Sequence, residues 1–190
     1  MHRKDPRYLA LEAVVVLFGV LAALFVDGIR DEAARQDAAA AGVERLFAEA
    51  SQNLNELRDL SDVVNDRLVL IRALRDDAQE DAGLADLVAR FHGYRTPDLS
   101  EGAWQRLSGS SLADSVDPEL LAEGFYLYQL NRHFSQLDQS INQLVYSELF
   151  YEPEGRATAI AISERIMEQQ TAWANEIIPR YEQFLSRADQ

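Results

Sequence analysis

Residues 8–26 read YLALEAVVVLFGVLAALFV, and from Ala13 to Val26 the stretch contains no polar side chain. About 20 apolar residues in a helix cross a hydrocarbon layer about 30 Å thick. A cleaved secretory signal would have an apolar core of about 7–15 residues and a cleavage site with small residues. No such site follows Val26, so the stretch favours an uncleaved membrane anchor over a cleaved signal or a buried core helix.

The charges on the two sides of this stretch predict its orientation. Basic Arg3, Lys4 and Arg7 precede it, and Asp27 follows it. Because basic flanks stay on the cytoplasmic side, we expect a cytoplasmic tail at 1–7 and a transmembrane helix at 8–26. The remainder would lie outside, which for a bacterial inner membrane is the periplasm. The lipid bilayer is therefore the first expected partner.

The apolar stretch also contains candidate positions for contact with a second membrane helix. Glu12 is its one ionisable residue, and a carboxylate inside a membrane is costly unless it reaches the interface or finds a partner. Glu12 can be an interfacial carboxylate near Arg7, or it can pair with another membrane subunit or another copy of the chain. Gly19, Ala22 and Ala23 would let a second helix approach closely.

The same residues carry a resemblance to a family of uncharacterised bacterial single-span membrane proteins. In that family a Glu, six apolar residues and Gly-Ile-Leu-Ile-Ala-Leu precede an Asn-Asn-Trp-Asn-Glu segment. The matching residues are Glu12, Gly19, Leu21, Ala23 and Leu24. Asp27–Arg30 departs from the pattern, and Trp104–Ser110 matches its aromatic, Leu and Ser-Gly turn more loosely. The resemblance implies a membrane-anchored helical domain and brings no activity with it.

Composition limits the remaining classes of function. The chain of 190 residues has no cysteine and a net charge of −14. Disulfides, thiolate metal sites and thiol catalysis are therefore excluded. The acidic balance argues against binding to nucleic acid or to anionic lipid surfaces. It is typical of a solvated, self-repelling surface, with recognition of a basic partner as the alternative.

A seven-residue repeat follows the apolar stretch. It predicts a long helix with a broad apolar face that packs in a bundle. We expect a helical linker at 27–42, with a bend at Gly42, and a bundle domain at 43–190. Polar Asn53 and Arg67 interrupt a companion row formed by Leu46, Leu60 and Leu74, and such interruptions often fix register. The repeat itself, which is also the expected stripe for bundle or partner contacts, comprises Val43, Ala50, Leu57, Val64 and Ile71.

The rest of the chain also has helical patterns. Short helices are expected at 84–92 and at 100–108. Asp117–Pro118 predicts the start of a helix that runs to about Leu149, with Phe125 in its core stripe. A last helix is expected at 156–187, with a kink or break at Pro179. The fold class is therefore all-α, with an N-terminal transmembrane helix and an antiparallel bundle of three long and one or two short helices.

No pattern indicates catalysis or a cofactor. His92 and His133 lack the Glu three residues earlier that a carboxylate-bridged metal site would need. Ser108–Ser111 lacks the strand and the Gly-x-Ser-x-Gly motif of a nucleophile elbow. We therefore expect no metal, no cofactor and no enzymatic activity.

Two functional hypotheses follow. The first is a membrane-anchored structural or interaction protein, either an accessory or scaffold subunit of a larger membrane complex, such as an energy-transducing or envelope assembly, or a homo-oligomer. The alternative is a periplasmic helical module that binds a small ligand. Because residues 1–7 leave no room for a cytoplasmic output domain, such a module would signal laterally to a membrane partner.

Overall fold

The computed structural model of the chain describes residues 6–76, 97–145 and 156–189. Within these ranges the chain is all-α and forms no strand, which confirms the all-α part of the expected fold. The predicted helix at 84–92 and the predicted end of the following long helix at about Leu149 lie outside the described residues. The helices are α1 (Pro6–Asp76), α2 (Gly102–Ser108), α3 (Pro118–Val145) and α4 (Arg156–Leu185), with 3-10 helices at Ser111–Ser115 and Ser186–Asp189.

Helix α1 is a single helix of 71 residues, about 107 Å long at about 1.5 Å per residue. Proline occupies its first position, where the missing N–H costs no hydrogen bond, and no further proline occurs before Pro97. The bend expected at Gly42 does not interrupt it. A Cβ at Gly42 would lie 2.8 Å from Leu107 Cδ1 of α2, so this glycine permits a close helix approach.

The two parts of α1 differ in their surroundings. Every residue from Val15 to Ala38 is exposed, and the next residue, Ala39, is buried. Among the described residues, no helix is long and apolar enough to cross a membrane.

Ion pairs show how α1 and α4 are aligned. Arg58 pairs with Glu182 at 2.6 Å, and Arg72 pairs with Glu168 at 2.9 Å and with Glu164 at 3.0 Å. Residue numbers rise along α1 as they fall along α4, so these two helices are antiparallel. Helix α3 runs in the same direction as α1, since Tyr128 contacts Glu49 and Phe134 packs in one cluster with Leu60.

The core lies between α1, α3 and α4 and consists of two apolar clusters. The seven-residue repeat of α1 contributes to both of them. Its first member, Val43, is half-buried, and the other four are at most 1% exposed. Those four are Ala50, Leu57, Val64 and Ile71.

The ends of the other helices follow local signals. The Asp117 side chain accepts a hydrogen bond from the Glu119 N–H at 2.9 Å, which confirms the predicted start of α3. Helix α4 continues through Pro179, so no helix break occurs there. Phe125, which we expected in the core stripe of α3, is 57% exposed, while Leu120 is buried in its place.

Candidate functional site

A buried carboxylate on α1 lies at the centre of the bundle. Glu49 is 8% exposed and accepts four hydrogen bonds. Its Oε2 accepts from the Ala103 N–H and the Ser100 hydroxyl, both at 2.8 Å. Its Oε1 accepts from the Tyr128 hydroxyl at 2.8 Å and from the Trp104 N–H at 3.2 Å. Among the described residues no Lys or Arg pairs with this carboxylate, so these four donors stabilise its charge.

Glu49 acts as the N-terminal cap of α2. The N–H groups of the first helical turn have no partner within the helix, and Glu101, which precedes α2, makes no capping bond with its side chain. The Glu49 carboxylate supplies the missing acceptor from another helix, where the helix dipole also favours a negative charge. Burial alone would raise the pKa of Glu49. The hydrogen bonds from Ala103, Ser100, Tyr128 and Trp104 outweigh burial and hold the pKa below its usual value.

An aromatic stack fixes α2 against α3. The Trp104 and Tyr128 rings are nearly parallel, at 7°, with centroids 5.4 Å apart. A Cβ at Gly124 would lie 2.7 Å from Trp104 Cζ3, so the indole packs on the bare backbone of α3. Both Tyr128 and Trp104 also donate hydrogen bonds to Glu49, and the carboxylate therefore joins three helices.

A second set of hydrogen bonds continues from this site. Asn53, one turn along α1, donates to the Ser100 carbonyl at 2.8 Å and accepts from the Ser100 N–H at 2.9 Å. Its Nδ2 also lies 3.2 Å from the Tyr181 hydroxyl of α4. The Tyr181 hydroxyl donates to Asn131 Oδ1 of α3 at 2.9 Å. We call Glu49, Asn53, Ser100, Tyr128, Asn131 and Tyr181 the Glu49 network.

The chemistry of the Glu49 network is that of a structural joint. Burial, followed by the contact with Glu49, raises the pKa of Tyr128 far above its usual value. Burial raises the pKa of Tyr181 to about 12. Both phenols therefore keep their protons, and the carboxylate keeps its charge, at neutral pH. Groups held in these states orient helices and are poorly suited to exchange protons with a substrate.

The histidine and serine residues considered as catalytic candidates make packing contacts and backbone hydrogen bonds. His133 stacks on Trp173 with ring centroids 5.8 Å apart, and His92 lies outside the described residues. Ser108 donates to the Trp104 carbonyl, and Ser110 caps the 3-10 helix through the Leu112 N–H. In the described ranges no three His, Asp or Glu side chains are placed to hold a metal ion.

The expected membrane-helix contacts lie far from this network. Glu12, Gly19, Ala22 and Ala23 are all exposed, and a Cβ at Gly19 would meet no atom within 4 Å. The fold therefore brings these four residues together with no other described element. Their role in binding another membrane helix remains a prediction.

Sequence reasoning found one member of the network and missed its centre. Asn53 was singled out as a polar interruption of the apolar face, and it is 0% exposed with its amide fully engaged. Glu49 lies beside the repeat and carries no motif. Its partners at Ser100–Trp104 come about fifty residues later in the chain, so no local pattern could reveal it.

Comparison with known proteins adds no assignment. No protein-family model matches the chain, and neither a curated protein nor a solved structure matches it.

Proposed function

We propose that the protein is a membrane-anchored scaffold or accessory subunit, in which residues 8–26 span the membrane and α1 carries a helical bundle outside it. The proposal places the chain in the inner membrane of a bacterium, with residues 1–7 in the cytoplasm and the bundle in the periplasm. It follows the resemblance to single-span bacterial membrane proteins.

One observation carries this proposal: the apolar stretch and the bundle belong to one uninterrupted helix. Helix α1 runs from Pro6 to Asp76. A span that continues directly into a packed helix fixes the position of the bundle relative to the membrane, as a scaffold requires. A flexible linker would only tether it.

The exposure of the apolar side chains supports an anchor. Val15, Val16, Leu17 and Phe18 are each at least 60% exposed, and four consecutive residues, at about 100° per residue, point in all directions around the helix. A helix that is apolar on every side requires an apolar environment all round. For residues 8–14 the proposal rests on the sequence alone, because the structure describes every side chain only from Val15 onward.

The Glu49 network supports a structural role for the bundle. It fastens α2, α3 and α4 to one level of α1, about 35 Å above Val26 at about 1.5 Å per residue. Its donors and acceptors are used within the protein itself.

Membrane extraction tests the anchor. We expect the full chain, with a C-terminal tag, to stay in the membrane pellet after alkaline carbonate treatment. A double Leu17→Arg and Leu21→Arg variant should be released, because each arginine at mid-membrane costs about 3 kcal/mol on insertion scales. The matched control is the double Leu17→Ile and Leu21→Ile variant, which should behave like the natural chain. Release of the natural chain would contradict the proposal.

A pull-down in mild detergent tests the accessory role. We expect a defined set of membrane proteins to accompany the tagged chain and to be depleted when Glu12→Gln is tested. Glu32→Gln, a change of the same kind outside the apolar stretch, serves as the control. Recovery of the chain alone would leave an anchor without an accessory role.

A further inference from the structure

An open groove lies where α1 enters the bundle. It has a volume of about 510 Å³, which falls in the range of about 300–1,000 Å³ that is typical of small-molecule sites. Residues of α1 between Gln36 and Phe47 form one wall, and residues between Ser115 and Leu120 form the opposite wall. Ala188 of the C-terminal 3-10 helix also lines it. We call this cavity the α1–α3 groove.

The floor of the α1–α3 groove is apolar. Ala39, Val116 and Leu120 are each at most 8% exposed, and half-buried Val43 and Phe47 line the same groove. Burial of apolar surface against such a floor removes that surface from water and stabilises a complex. The floor therefore favours a ligand with an apolar body.

The rim of the groove is polar and negatively charged. Its polar residues are Gln36, Glu44, Ser115 and Asp117, and no Lys or Arg is among the described residues that line it. Glu44 is exposed and has no ion pair within the described part of the chain. Two carboxylates and the side-chain oxygens of Gln36 and Ser115 are acceptors for a charged donor. The rim therefore favours a cationic group.

One arginine lies near this rim, and three acids share it. Arg187 lies 2.7 Å from Glu123, 3.5 Å from Glu119 and 3.8 Å from Asp117. One guanidinium therefore faces three carboxylates, and the balance of charge stays negative. The N-terminus of α3 does not reverse it, because Asp117 already accepts the Glu119 N–H at 2.9 Å. The net charge of −14 attracts cations over a longer range.

We propose that the α1–α3 groove binds a small organic cation, with its apolar body on Val116 and Leu120 and its ammonium group at Glu44. Asp117 attracts the same ammonium group from the opposite wall. This ligand site goes beyond the scaffold role. It is also independent of the anchor, because the apolar stretch at residues 8–26 contributes nothing to the groove.

The volume of the groove favours a small molecule over a helix. Its α1 wall from Gln36 to Phe47 is about 16 Å long at about 1.5 Å per residue. A helix of that length and about 10 Å in diameter occupies about 1,300 Å³, more than twice the volume of about 510 Å³ that the groove offers. A helix from a second copy or from another protein would therefore lie mostly outside the groove, whereas a small molecule fits within it.

Matched probes test the charge of the ligand separately from its apolar body. 2-Phenylethylamine carries an ammonium group, and 2-phenylethanol has the same ring and chain without the charge. Saturation-transfer NMR would follow both with the full chain in lipid nanodiscs, and empty nanodiscs supply the background from probe in the bilayer. We expect a Kd on the order of 1 mM for the amine, because about nine heavy atoms provide little binding energy. The alcohol should bind about fivefold more weakly.

Two pairs of variants locate the site. Ala40 is exposed and lines the groove, so Ala40→Phe should fill it and weaken both probes by at least about tenfold. Ala38→Phe, at an exposed position of α1 that does not line the groove, should leave both within about twofold. Glu44→Gln should reduce the preference for the amine from about fivefold to below about twofold. Asp62→Asn removes the same charge at an exposed position farther along α1 and should keep that preference.

The other outcomes contradict the proposal. Equal binding of amine and alcohol would mean that the rim does not select a cation. Binding that survives Ala40→Phe would place the probe in the bilayer or on another surface. No signal above empty nanodiscs at about 10 mM amine would mean that the groove binds no such ligand. A dimer of the chain in detergent that Ala40→Phe dissociates would assign the groove to a second copy.

Discussion

Helix α1 contains two segments with opposite surroundings. In the bare segment, Val15–Ala38, every residue is exposed. In the covered segment, Ala39–Ile71, the pattern is buried against α2, α3 and α4. One continuous helix therefore has packed apolar side chains in one segment and exposed ones in the other, and the rest of the chain determines which segment is covered.

The difference identifies the segment that stabilises the fold. In the covered segment the buried polar groups Glu49 and Asn53 have partners from other helices, so the segment contributes to folding. In the bare segment the polar side chains face solvent, and packing against the bundle contributes nothing to the stability of this part of the helix. Paired substitutions, one in each segment, therefore test this difference.

The largest effect is expected at Glu49. Glu49→Ala leaves two buried N–H groups and two hydroxyls without their acceptor and should lower the free energy of unfolding by about 4 kcal/mol or more. Glu32→Ala, in the bare segment, should change it by less than about 0.5 kcal/mol. Urea unfolding in mild detergent, followed by tryptophan fluorescence and helical circular dichroism, measures both. Equal effects on the free energy of unfolding would mean that the Glu49 carboxylate does not hold α1, α2 and α3 together.

A pair of apolar truncations comes next. Leu57→Ala opens a cavity in the core and should cost about 3 kcal/mol. Ile29→Ala removes a side chain that is 54% exposed and should cost less than about 0.5 kcal/mol in the isolated chain. The same unfolding experiment applies. A large loss for Ile29→Ala would show that the bare segment is already covered, for instance by a second copy.

A smaller effect on the free energy of unfolding is expected when the pH is lowered. The pKa of Glu49 is lower in the folded chain than its ordinary value of 4.5. Above that value Glu49 is ionised in both states and its contribution to stability is complete. As the pH falls below it, the unfolded chain takes up the proton first, and the contribution is lost until the folded pKa is passed. The pH dependence of unfolding should therefore be shallower below about pH 4.5 in Glu49→Gln, and an unchanged slope would contradict the shift.

The smallest effects are expected at two glycines. Gly28→Ala meets no atom within 4 Å of the new Cβ, so it should stabilise the helix by about 0.5–1 kcal/mol. Gly42→Ala gains the same helix propensity but places Cβ 2.8 Å from Leu107 Cδ1. Because Leu107 must shift, we expect no gain and a loss of up to about 1 kcal/mol. Thermal unfolding of both variants measures the difference, and equal stabilisation would mean that α2 does not approach Gly42.

Much of the fold could be predicted from periodicity. The heptad of α1 gives the buried positions, and the Asp117–Pro118 pair gives the start of α3. The helix does not break at Pro179, because helix-breaking is a local tendency, whereas buried Ile177 and Tyr181 hold α4 in place on both sides of that residue. Phe125 was misjudged because a helical stripe with many apolar residues does not define which edge faces the core.

The Glu49 site could not be predicted at all. A glutamate beside an apolar repeat is ordinarily solvated, and its burial depends on the N-terminus of α2 arriving from a distant part of the chain. Such a site depends on tertiary structure, and neither composition nor spacing encodes it.

The continuity of α1 between its two segments is the claim on which the proposed function depends, and a spin-label distance tests it most directly. Cysteines introduced at exposed Ala34 and Asn55 of the otherwise cysteine-free chain would carry the labels in lipid nanodiscs. A single straight helix predicts a narrow distribution centred near 32 Å, at about 1.5 Å per residue. A broad distribution, or one centred well below that distance, would mean that α1 bends between its two segments, and the proposed rigid scaffold would be wrong.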